Sequence, residues 1–249
     1  MGKLSGKIAV VTGGSAGMGL ATAKLFGQEG AKVIITGRDQ GALDAAVQSI
    51  GSDAEAFRGD IANVADIEAL RVHVKEQYGR VDVVFANAGT ARPGPFEEVS
   101  EDDFDFGVDT NLKGTFFTVQ KLVPLMGDGG TVVLNTSIQS SKGWAGFTVY
   151  AATKAAIRSF ARTLTAELSA KGIRVNAVAP GFIDTDLIRK VGLSDDAIEQ
   201  IKVQAHAQIP MRRSGTADEI AKAVLFLASD DSAYVSGVEL TVDGGWTQV

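Results

Sequence analysis

The stretch that decides the fold is I-A-V-V-T-G-G-S-A-G-M-G, residues 8–19. It begins as a continuous apolar and β-branched run, which is typical of a strand covered on both faces in a parallel sheet. The run changes after Thr12 into a glycine-rich turn, and a helical pattern follows at once. Backbone N–H groups in such a turn can approach a pyrophosphate closely, and the helix N-terminus favours negative charge. The stretch therefore predicts the strand, phosphate turn and first helix of a dinucleotide-binding fold.

The alternation of strand and helix continues to the end of the chain. Further strand candidates lie at 32–36, 54–58, 81–86, 131–136, 173–179 and 238–242, and helical candidates at roughly 17–29, 40–50, 63–78, 100–125, 149–171 and 216–228. This pattern predicts an α/β fold, a single domain over residues 1–249 with a Rossmann-type, doubly wound parallel sheet of about seven strands and helices on both faces. The stretch at about 184–212 shows no regular pattern and is long for a connection, so we expect a substrate lid there.

Composition excludes several classes of function. The chain has 249 residues, 45% of them hydrophobic, and a net charge of −6, which argues against non-specific nucleic-acid binding. No cysteine is present, which excludes a thiolate nucleophile, disulfides and cysteine-ligated zinc. With only two histidines, His73 and His206, a multi-histidine metal site is disfavoured, as is most Ser/His/Asp chemistry. No signal peptide or membrane-spanning run is visible, so we expect a cytoplasmic protein without nucleic-acid, membrane or metal partners.

The end of the second predicted strand, T-G-R-D, bears on the choice of cofactor. NAD-binding folds usually carry an acidic residue there for the ribose 2′-hydroxyl, but Gly37 stands in that position and Arg38 follows. A small residue beside a guanidinium suits a 2′-phosphate. Asp39 is expected to cap the following helix rather than to reach a ribose. These residues favour NADP(H) over NAD(H), with a solvated surface arginine as the alternative reading of Arg38.

The ends of the third and fourth predicted strands supply further candidates. Asp60 is expected to accept a hydrogen bond from an adenine amino group, with Ile61 packing on the ring. A helix or turn cap is the alternative interpretation of Asp60. The sequence F-A-N-A-G ends the fourth strand, and its small residues Ala88 and Gly89 permit close contact with a flat ring or ribose. Asn87 could contact the cofactor or could only satisfy backbone groups of the loop.

A phenol and an ammonium group lie four residues apart in Y-A-A-T-K, residues 150–154. On a helix, positions i and i+4 share a face. A free tyrosine has a pKa of about 10, too high for efficient proton transfer near neutrality. A cation within about 4–6 Å favours the phenolate, so we expect Lys154 to lower the pKa of Tyr150. Taken alone, the pair would more often be a core tyrosine and a solvated lysine.

Six motifs occur in a characteristic order. They are T-G-G-S-A-G-M-G (12–19), A-N-A-G (86–89), Asn111 in N-L-K-G, Ser137 after V-V-L-N-T, Y-A-A-T-K (150–154) and P-G-F-I-D-T (180–185). In order and spacing the chain resembles short-chain dehydrogenases/reductases of the classical type, over essentially its whole length. Within that family it most resembles bacterial NADPH-dependent ketone reductases and secondary-alcohol dehydrogenases. Ala16 stands where some NADP-dependent members carry a basic residue.

The resemblance implies a catalytic set of four residues. Tyr150 would be the general acid/base, and Lys154 would also hold the nicotinamide ribose. Ser137 would hydrogen-bond the substrate oxygen as charge develops there. Asn111 would bend its helix and hold a water that passes protons to Lys154.

The same resemblance implies the cofactor contacts, with Ile183 and Thr185 at the nicotinamide carboxamide. The predicted cofactor-binding set is Gly13, Ser15, Gly17, Met18, Gly19, Arg38, Asp60, Ile61, Asn87, Ala88, Gly89, Tyr150, Lys154, Gly181, Ile183 and Thr185.

The substrate pocket is expected after Ser137 and under the lid. Its candidates are Ser137, Ile138, Gln139, Trp144, Phe147, Leu187, Ile188 and Val191. This mostly apolar set favours a hydrophobic ketone or secondary alcohol over an acid, although Arg92 lies near enough in the sequence to weaken that preference. The resemblance also implies a homotetramer formed through the helices at about 100–125 and 149–171 and through the C-terminal segment. A core strand explains the apolar residues of that C-terminal segment almost as well as burial in such a contact does.

Three hypotheses of function follow. The first is an oxidoreductase that transfers a hydride between NADP(H) and a ketone or secondary alcohol. The second is a 3-oxoacyl-thioester reductase or a sugar or steroid dehydrogenase on the same scaffold. The third is a redox sensor that binds NADP without catalysis, although such a protein would have no reason to keep the Tyr, Lys, Ser and Asn set.

Overall fold

The structure, a computed structural model, describes residues 2–51, 53–185 and 194–249. Its strands are β1 (Ile8–Thr12), β2 (Lys32–Gly37), β3 (Ala54–Arg58), β4 (Val83–Ala86), β5 (Thr131–Asn135), β6 (Arg174–Pro180) and β7 (Glu239–Val242). They form one parallel sheet in the order β3-β2-β1-β4-β5-β6-β7. The doubly wound parallel sheet of about seven strands is therefore confirmed, and the predicted strand ends differ from the observed ones by at most two residues.

Helices cover both faces of the sheet. They are α1 (Gly17–Gln28), α2 (Gln40–Ile50), α3 (Val64–Tyr78), α4 (Glu101–Gly107), α5 (Gly114–Leu122), α6 (Thr148–Leu168), α7 (Asp195–Gln208) and α8 (Ala217–Ala228). Successive side chains of a strand point to opposite faces, so Val11 joins the core that contains Phe26 of α1. Val10 joins the opposite core with Leu70 of α3 and Ile157 of α6. Burial on both faces explains why the inner strands β1, β2, β4, β5 and β6 are largely continuous apolar runs.

The strand order reverses direction at β1. From β1 the chain builds outward through β2 to β3 and then returns to place β4 on the other side of β1. In open α/β sheets this reversal leaves a crevice beyond the carboxyl ends of the two central strands, and ligands bind there. The glycine turn after β1 and the A-N-A-G loop after β4 therefore meet at the same place.

One part of the sequence prediction is wrong. The stretch at about 184–212, expected to be irregular, contains α7. Among the side chains described for this helix, Ile198 and Ala205 are buried, so its apolar face is narrow and the helical period is weak in the sequence. Residues 186–193 of the predicted lid lie outside the described residues, and the lid itself stays a prediction.

The predicted helix at 100–125 is divided. Helices α4 and α5 are joined by a π-helical segment, Val108–Lys113, and a 3₁₀ turn, Val123–Leu125, closes the run. Such π segments occur mostly as local insertions in α-helices and often at functional sites. Asn111 lies in this one.

Two searches of the described residues gave no candidates. None of their helices is both long and apolar enough to span a bilayer. Within the same residues, no group of three or more His, Asp or Glu side chains is placed to hold a metal ion.

Candidate active site

A cleft of about 420 Å³ opens at the reversal of strand order. Its walls come from the turns and loops that directly follow β1, β2, β3 and β4, together with α6. The predicted cofactor residues that line it are Gly13, Ser15, Gly17, Met18, Gly19, Arg38, Asp60, Ile61, Asn87, Ala88, Gly89, Tyr150, Lys154 and Thr185. The structure thus brings most of the predicted cofactor-binding set into one cleft.

The glycine turn after β1 is a close-packed cradle. Gly13 has a positive φ of 64°, which favours glycine. A Cβ on Gly19 would lie 2.2 Å from the carbonyl oxygen of Gly13, so no side chain fits there. Ala16, at the N-cap position of α1, makes no side-chain hydrogen bond to the helix. The first N–H groups of α1 therefore have no side-chain cap and suit a phosphate, which fits a dinucleotide.

Side-chain hydrogen bonds of Thr12, Asn87 and Asn135 join the ends of β1, β4 and β5 next to this turn. The Thr12 hydroxyl accepts hydrogen bonds from the backbone N–H groups of Asn87 and Ala88, each at 3.0 Å. Asn87 Nδ2 donates to the Thr12 carbonyl at 2.9 Å, and Asn135 Nδ2 donates to Asn87 Oδ1 at 3.0 Å. In this structure the Asn87 side chain therefore satisfies backbone groups, which is one of the two roles that the sequence predicts for it.

Asn135 was missed in the sequence, although an amide at the end of a fully apolar strand is a usable signal. It lines the cleft and is buried. Its backbone carbonyl accepts a hydrogen bond from Lys154 Nζ at 2.7 Å. Among the described residues its side-chain oxygen has no hydrogen-bond partner, which leaves a buried acceptor at the wall of the cleft.

The residues after β2 and β3 lie as the sequence predicts. The Asp39 carboxylate accepts from Ala42 N at 2.7 Å and caps α2. The Arg38 side chain is 69% exposed, and its Nη1 lies 3.9 Å from Asp60 Oδ2. Asp60 Oδ1 also accepts from Ala62 N at 3.0 Å, so Asp60 both lines the cleft and caps a turn. Arg38 therefore places a basic group at the edge of the cleft.

Two further residues shape this edge. A Cβ on Gly37 would lie 3.4 Å from Ser15 Oγ, so the space beside Ser15 is narrow. Arg58, at the end of β3, donates from Nε to the Arg38 carbonyl oxygen at 3.1 Å and was not singled out in the sequence. Its position follows from the strand register, which pairs Arg58 with Gly37.

Tyr150 and Lys154 share one face of α6, as their spacing predicts. Lys154 is 3% exposed, and its Nζ lies 5.6 Å from the centroid of the Tyr150 ring. Burial lowers the pKa of Lys154 to about 8. The same environment raises the pKa of Tyr150, and a hydrogen bond with the Ser137 side chain acts in the lowering direction. Ser137 is buried two residues after the end of β5.

The net direction at the Tyr150 phenol is therefore a raised pKa, and the lowering effect expected of Lys154 stays a prediction. Burial is the largest influence on the phenol and outweighs the hydrogen bond from Ser137. The Lys154 ammonium is directed to the carbonyl of Asn135. Sequence spacing shows that two groups can meet, but it does not show how far either group is removed from water.

Asn111 is fully buried in the π-helical segment. Its Oδ1 accepts from Thr90 N at 2.8 Å, and its Nδ2 donates to Thr90 O at 2.9 Å and to Thr153 Oγ1 at 3.1 Å. These bonds fix the interrupted helix to the loop after β4 and to α6. The water-mediated link from Asn111 to Lys154 stays a prediction.

Two predicted cofactor residues lie elsewhere. Gly181 packs against Asp243, where a Cβ would be 2.7 Å from the Asp243 Cα. Ile183 pairs with Gly215 in an isolated bridge and lines a second cavity of about 440 Å³. Neither Gly181 nor Ile183 lines the cleft, whereas Thr185, two residues after Ile183, does.

Aromatic rings form a wall beside Tyr150. The Phe147 ring lies 6.1 Å from that of Tyr150, Trp144 lies 6.0 Å from Phe147, and Trp246 lies 5.2 Å from Trp144, all between centroids. Trp246 is buried within its own chain, as the core reading of the C-terminal segment predicts, and was missed as a neighbour of the site. Leu187, Ile188 and Val191 lie outside the described residues.

Gln139 and Ile138 follow Ser137 in a 3₁₀ turn. The backbone N–H of Gln139 donates to Ser137 Oγ at 3.2 Å. Ile138 is buried in a cluster with Trp246. Of these two predicted pocket residues, Gln139 therefore contacts the proposed catalytic serine, and Ile138 anchors the turn in the protein interior.

The chain is similar to several known proteins. A family model described as enoyl-(acyl carrier protein) reductase matches residues 13–247. An oxidoreductase of Sarocladium schorii is 39% identical over 99% of this chain and 98% of its own. A 3-oxoacyl-[acyl-carrier-protein] reductase of Thermotoga maritima is 38% identical over 98% of each chain. The crystal structure of a putative gluconate dehydrogenase from Agrobacterium tumefaciens superimposes with a TM-score of 0.91 at 29% identity, covering 99% of this chain and 98% of that one.

Gly89 offers a test of the site's packing. A Cβ there would lie 3.2 Å from Asn111 Oδ1 and 3.4 Å from Lys154 Nζ, whereas a Cβ on Gly94 would meet nothing within 4 Å. We expect Gly89→Ala to displace the ammonium and to lower turnover by about tenfold to a hundredfold, while Gly94→Ala leaves it unchanged. Steady-state kinetics of the two variants checks this. Equal activity of the two would contradict the close contact.

Proposed function

We propose that this protein reduces a ketone to a secondary alcohol with NADPH and catalyses the reverse reaction with NADP⁺. The proposal starts from the family: the chain belongs to the short-chain dehydrogenase/reductase family. Membership makes the protein an oxidoreductase that acts on CH–OH or keto groups with a nicotinamide cofactor. The observation that carries the finer proposal is the arrangement of Tyr150, Ser137 and the buried Lys154 at the wall of one cleft.

The cofactor supplies the hydride, and the side chains handle the proton. Tyr150 donates a proton to the carbonyl oxygen during reduction and takes it back during oxidation. The Ser137 hydroxyl donates a hydrogen bond to the same oxygen, where negative charge develops. Both groups are held in place before the substrate arrives, because Ser137 already accepts from Gln139 N and interacts with the phenol.

Lys154 has two proposed tasks. Its ammonium would hold the hydroxyls of the nicotinamide ribose, and its charge would favour the phenolate form of Tyr150. The Lys154 Nζ lies 5.6 Å from the centroid of the Tyr150 ring, one turn further along α6, and a nearby cation favours the charged form of an acid. Since its pKa is about 8, most of the lysine is charged at pH 7. The charge would oppose the effect of burial on the phenol.

The residues at the edge of the cleft support NADP(H) rather than NAD(H). Gly37 provides no carboxylate for a ribose 2′-hydroxyl, and Asp39 is engaged in capping α2. Arg38 is exposed at the edge and would pair with a 2′-phosphate. The turn from Gly13 to Gly19 would hold the pyrophosphate through backbone N–H groups.

A neutral, hydrophobic ketone is the proposed substrate class. The wall beside Tyr150 is aromatic, with Phe147 and Trp144 nearest. Arg92, the residue that argued for an acidic substrate, pairs with Asp103 at 2.9 Å and lies 3.8 Å over the Phe106 ring. Its guanidinium group is therefore already engaged by a carboxylate and an aromatic ring of this chain. A redox sensor would not need this catalytic arrangement.

A 3-oxoacyl-thioester reductase is the second candidate, because a relative with 38% identity over nearly the whole chain is named as one. An acyl-carrier partner is acidic and is usually met by a basic surface, whereas this chain has a net charge of −6. The charge therefore favours the free ketone.

Assembly and location are also proposed rather than observed. We propose a homotetramer in the cytoplasm, without nucleic-acid or membrane partners. Phe104 of α4 and Phe116 of α5 are exposed on the helices expected to form its contacts, and burial in an interface would explain them. Sedimentation velocity measures the assembly directly.

The reaction itself is tested with a panel of ketones. We expect the enzyme to consume NADPH with hydrophobic ketones, followed by absorbance, and Tyr150→Phe to lose about a hundredfold or more of turnover because it cannot transfer the proton. Tyr234→Phe, at a fully exposed tyrosine, is the matched control and should retain full activity. Full activity in Tyr150→Phe on a good substrate would show that the mechanism is wrong.

The choice of cofactor is tested at Arg38. We expect Arg38→Asp to raise the Michaelis constant for NADPH far more than that for NADH, because the new carboxylate repels a 2′-phosphate. Lys171→Asp makes the same change of charge at an exposed lysine outside the cleft and should affect neither constant. Equal effects of Arg38→Asp on both cofactors would contradict the assignment.

A further inference from the structure

A carboxylate outside the proposed catalytic set lies behind Ser137. Glu239, the first residue of β7, has a side chain that is only 13% exposed. Its Oε1 accepts a hydrogen bond from Thr136 Oγ1 at 2.6 Å and another from Ser140 Oγ at 3.1 Å. Thr136 precedes Ser137 and Ser140 follows it by three residues. One carboxylate therefore holds both ends of the turn that carries the proposed oxyanion donor.

The same carboxylate reaches the catalytic helix. Arg158 Nε lies 3.5 Å from Glu239 Oε2, and Arg158 Nη1 donates to the Gly237 carbonyl at 3.1 Å. Residues 150, 154 and 158 are spaced by four, so Arg158 continues the face of α6 that carries Tyr150 and Lys154. Glu239 thus connects the Ser137 turn and α6 to β7, which lies about a hundred residues further along the chain.

We infer that Glu239 is a positioning residue that fixes the Ser137 hydroxyl relative to Tyr150. The inference rests on the proposed role of Ser137 in the reaction. Hydrogen bonds to an ionised carboxylate are shorter and stronger than neutral ones, so Glu239 restrains the turn more firmly than a neutral acceptor does. A reacting group displaced by about 1 Å can reduce turnover by about a hundredfold.

The local structure gives reason to expect that variants at this position fold. The Thr136 hydroxyl also lies 2.9 Å from the Val178 carbonyl, which remains as an acceptor when the carboxylate is removed. Arg158 keeps its bond to the Gly237 carbonyl. The Ser140 hydroxyl loses the Glu239 carboxylate as its acceptor, so the end of the Ser137 turn at Ser140 is the part that loses its restraint.

The test uses the full-length enzyme and compares Glu239→Ala with Glu239→Gln. We expect Glu239→Ala to lower kcat by about tenfold to a hundredfold while the NADPH dissociation constant, measured by cofactor fluorescence, stays within about twofold. Glu239→Gln keeps an acceptor for Thr136 and Ser140 and should recover most of the lost turnover. Glu76→Ala, at an exposed glutamate of α3, is the matched control and should behave as the unaltered enzyme.

A double-mutant cycle separates positioning from general destabilisation. If Glu239 acts through Ser137, then Glu239→Ala adds little to the loss already caused by Ser137→Ala, whose residual turnover is measured at high enzyme concentration. Should the alanine variant fail to fold, Thr136→Val and Ser140→Ala, each of which removes one donor, enter the same cycle in its place.

Three results would overturn the inference. The first is a kcat of Glu239→Ala equal to that of Glu76→Ala. The second is a full Glu239→Ala effect in the Ser137→Ala background. The third is a joint loss of turnover and of NADPH binding in step with the melting temperature. Absence of turnover by the unaltered enzyme with every ketone would contradict the proposed function instead, and the inference with it.

Discussion

A buried ammonium group is the constraint on which the rest of the site depends. Lys154 is 3% exposed, and the hydrogen bond recorded for its Nζ among the described residues goes to the carbonyl of Asn135. Removing a charge from water is unfavourable, and the lowered pKa of about 8 expresses that penalty. The lysine is held there because α6 lies against the ends of β4 and β5, where Asn135 and Gly89 meet it.

The strands set the positions of nearly everything else. Because all of them are parallel, the residues that follow β1, β4 and β5 emerge at one edge of the sheet, and the amides of Asn87 and Asn135 tie those three ends together. The glycine turn, the proposed oxyanion donor Ser137 and helix α6 are therefore fixed relative to one another before any ligand binds. Such preorganisation is the main source of electrostatic catalysis in enzymes.

Sequence patterns were sufficient where the physical signal is local. Continuous β-branched runs predicted most of the strands, and the glycine turn after β1 predicted the close-packed turn at the cleft. Helix α7 was missed because Ile198 and Ala205 leave it only a narrow apolar face. Trp246 and Glu239 were missed because their contacts join segments that are about a hundred residues apart. Burial, which raises the pKa of Tyr150, cannot be read from spacing, so the prediction considered only the opposing effect of Lys154.

The central claim is that the charge of Lys154 makes the phenol of Tyr150 a proton donor and acceptor near neutrality, against the effect of burial. The most direct measurement is the rate of alcohol oxidation against pH at saturating NADP⁺, for the unaltered enzyme, Lys154→Met and the surface control Lys171→Met. The phenolate is the active form in oxidation, so the rate rises with pH through the Tyr150 pKa. We predict that the midpoint rises by about one pH unit or more in Lys154→Met and is unchanged in Lys171→Met. The same midpoint in all three enzymes would contradict the claim.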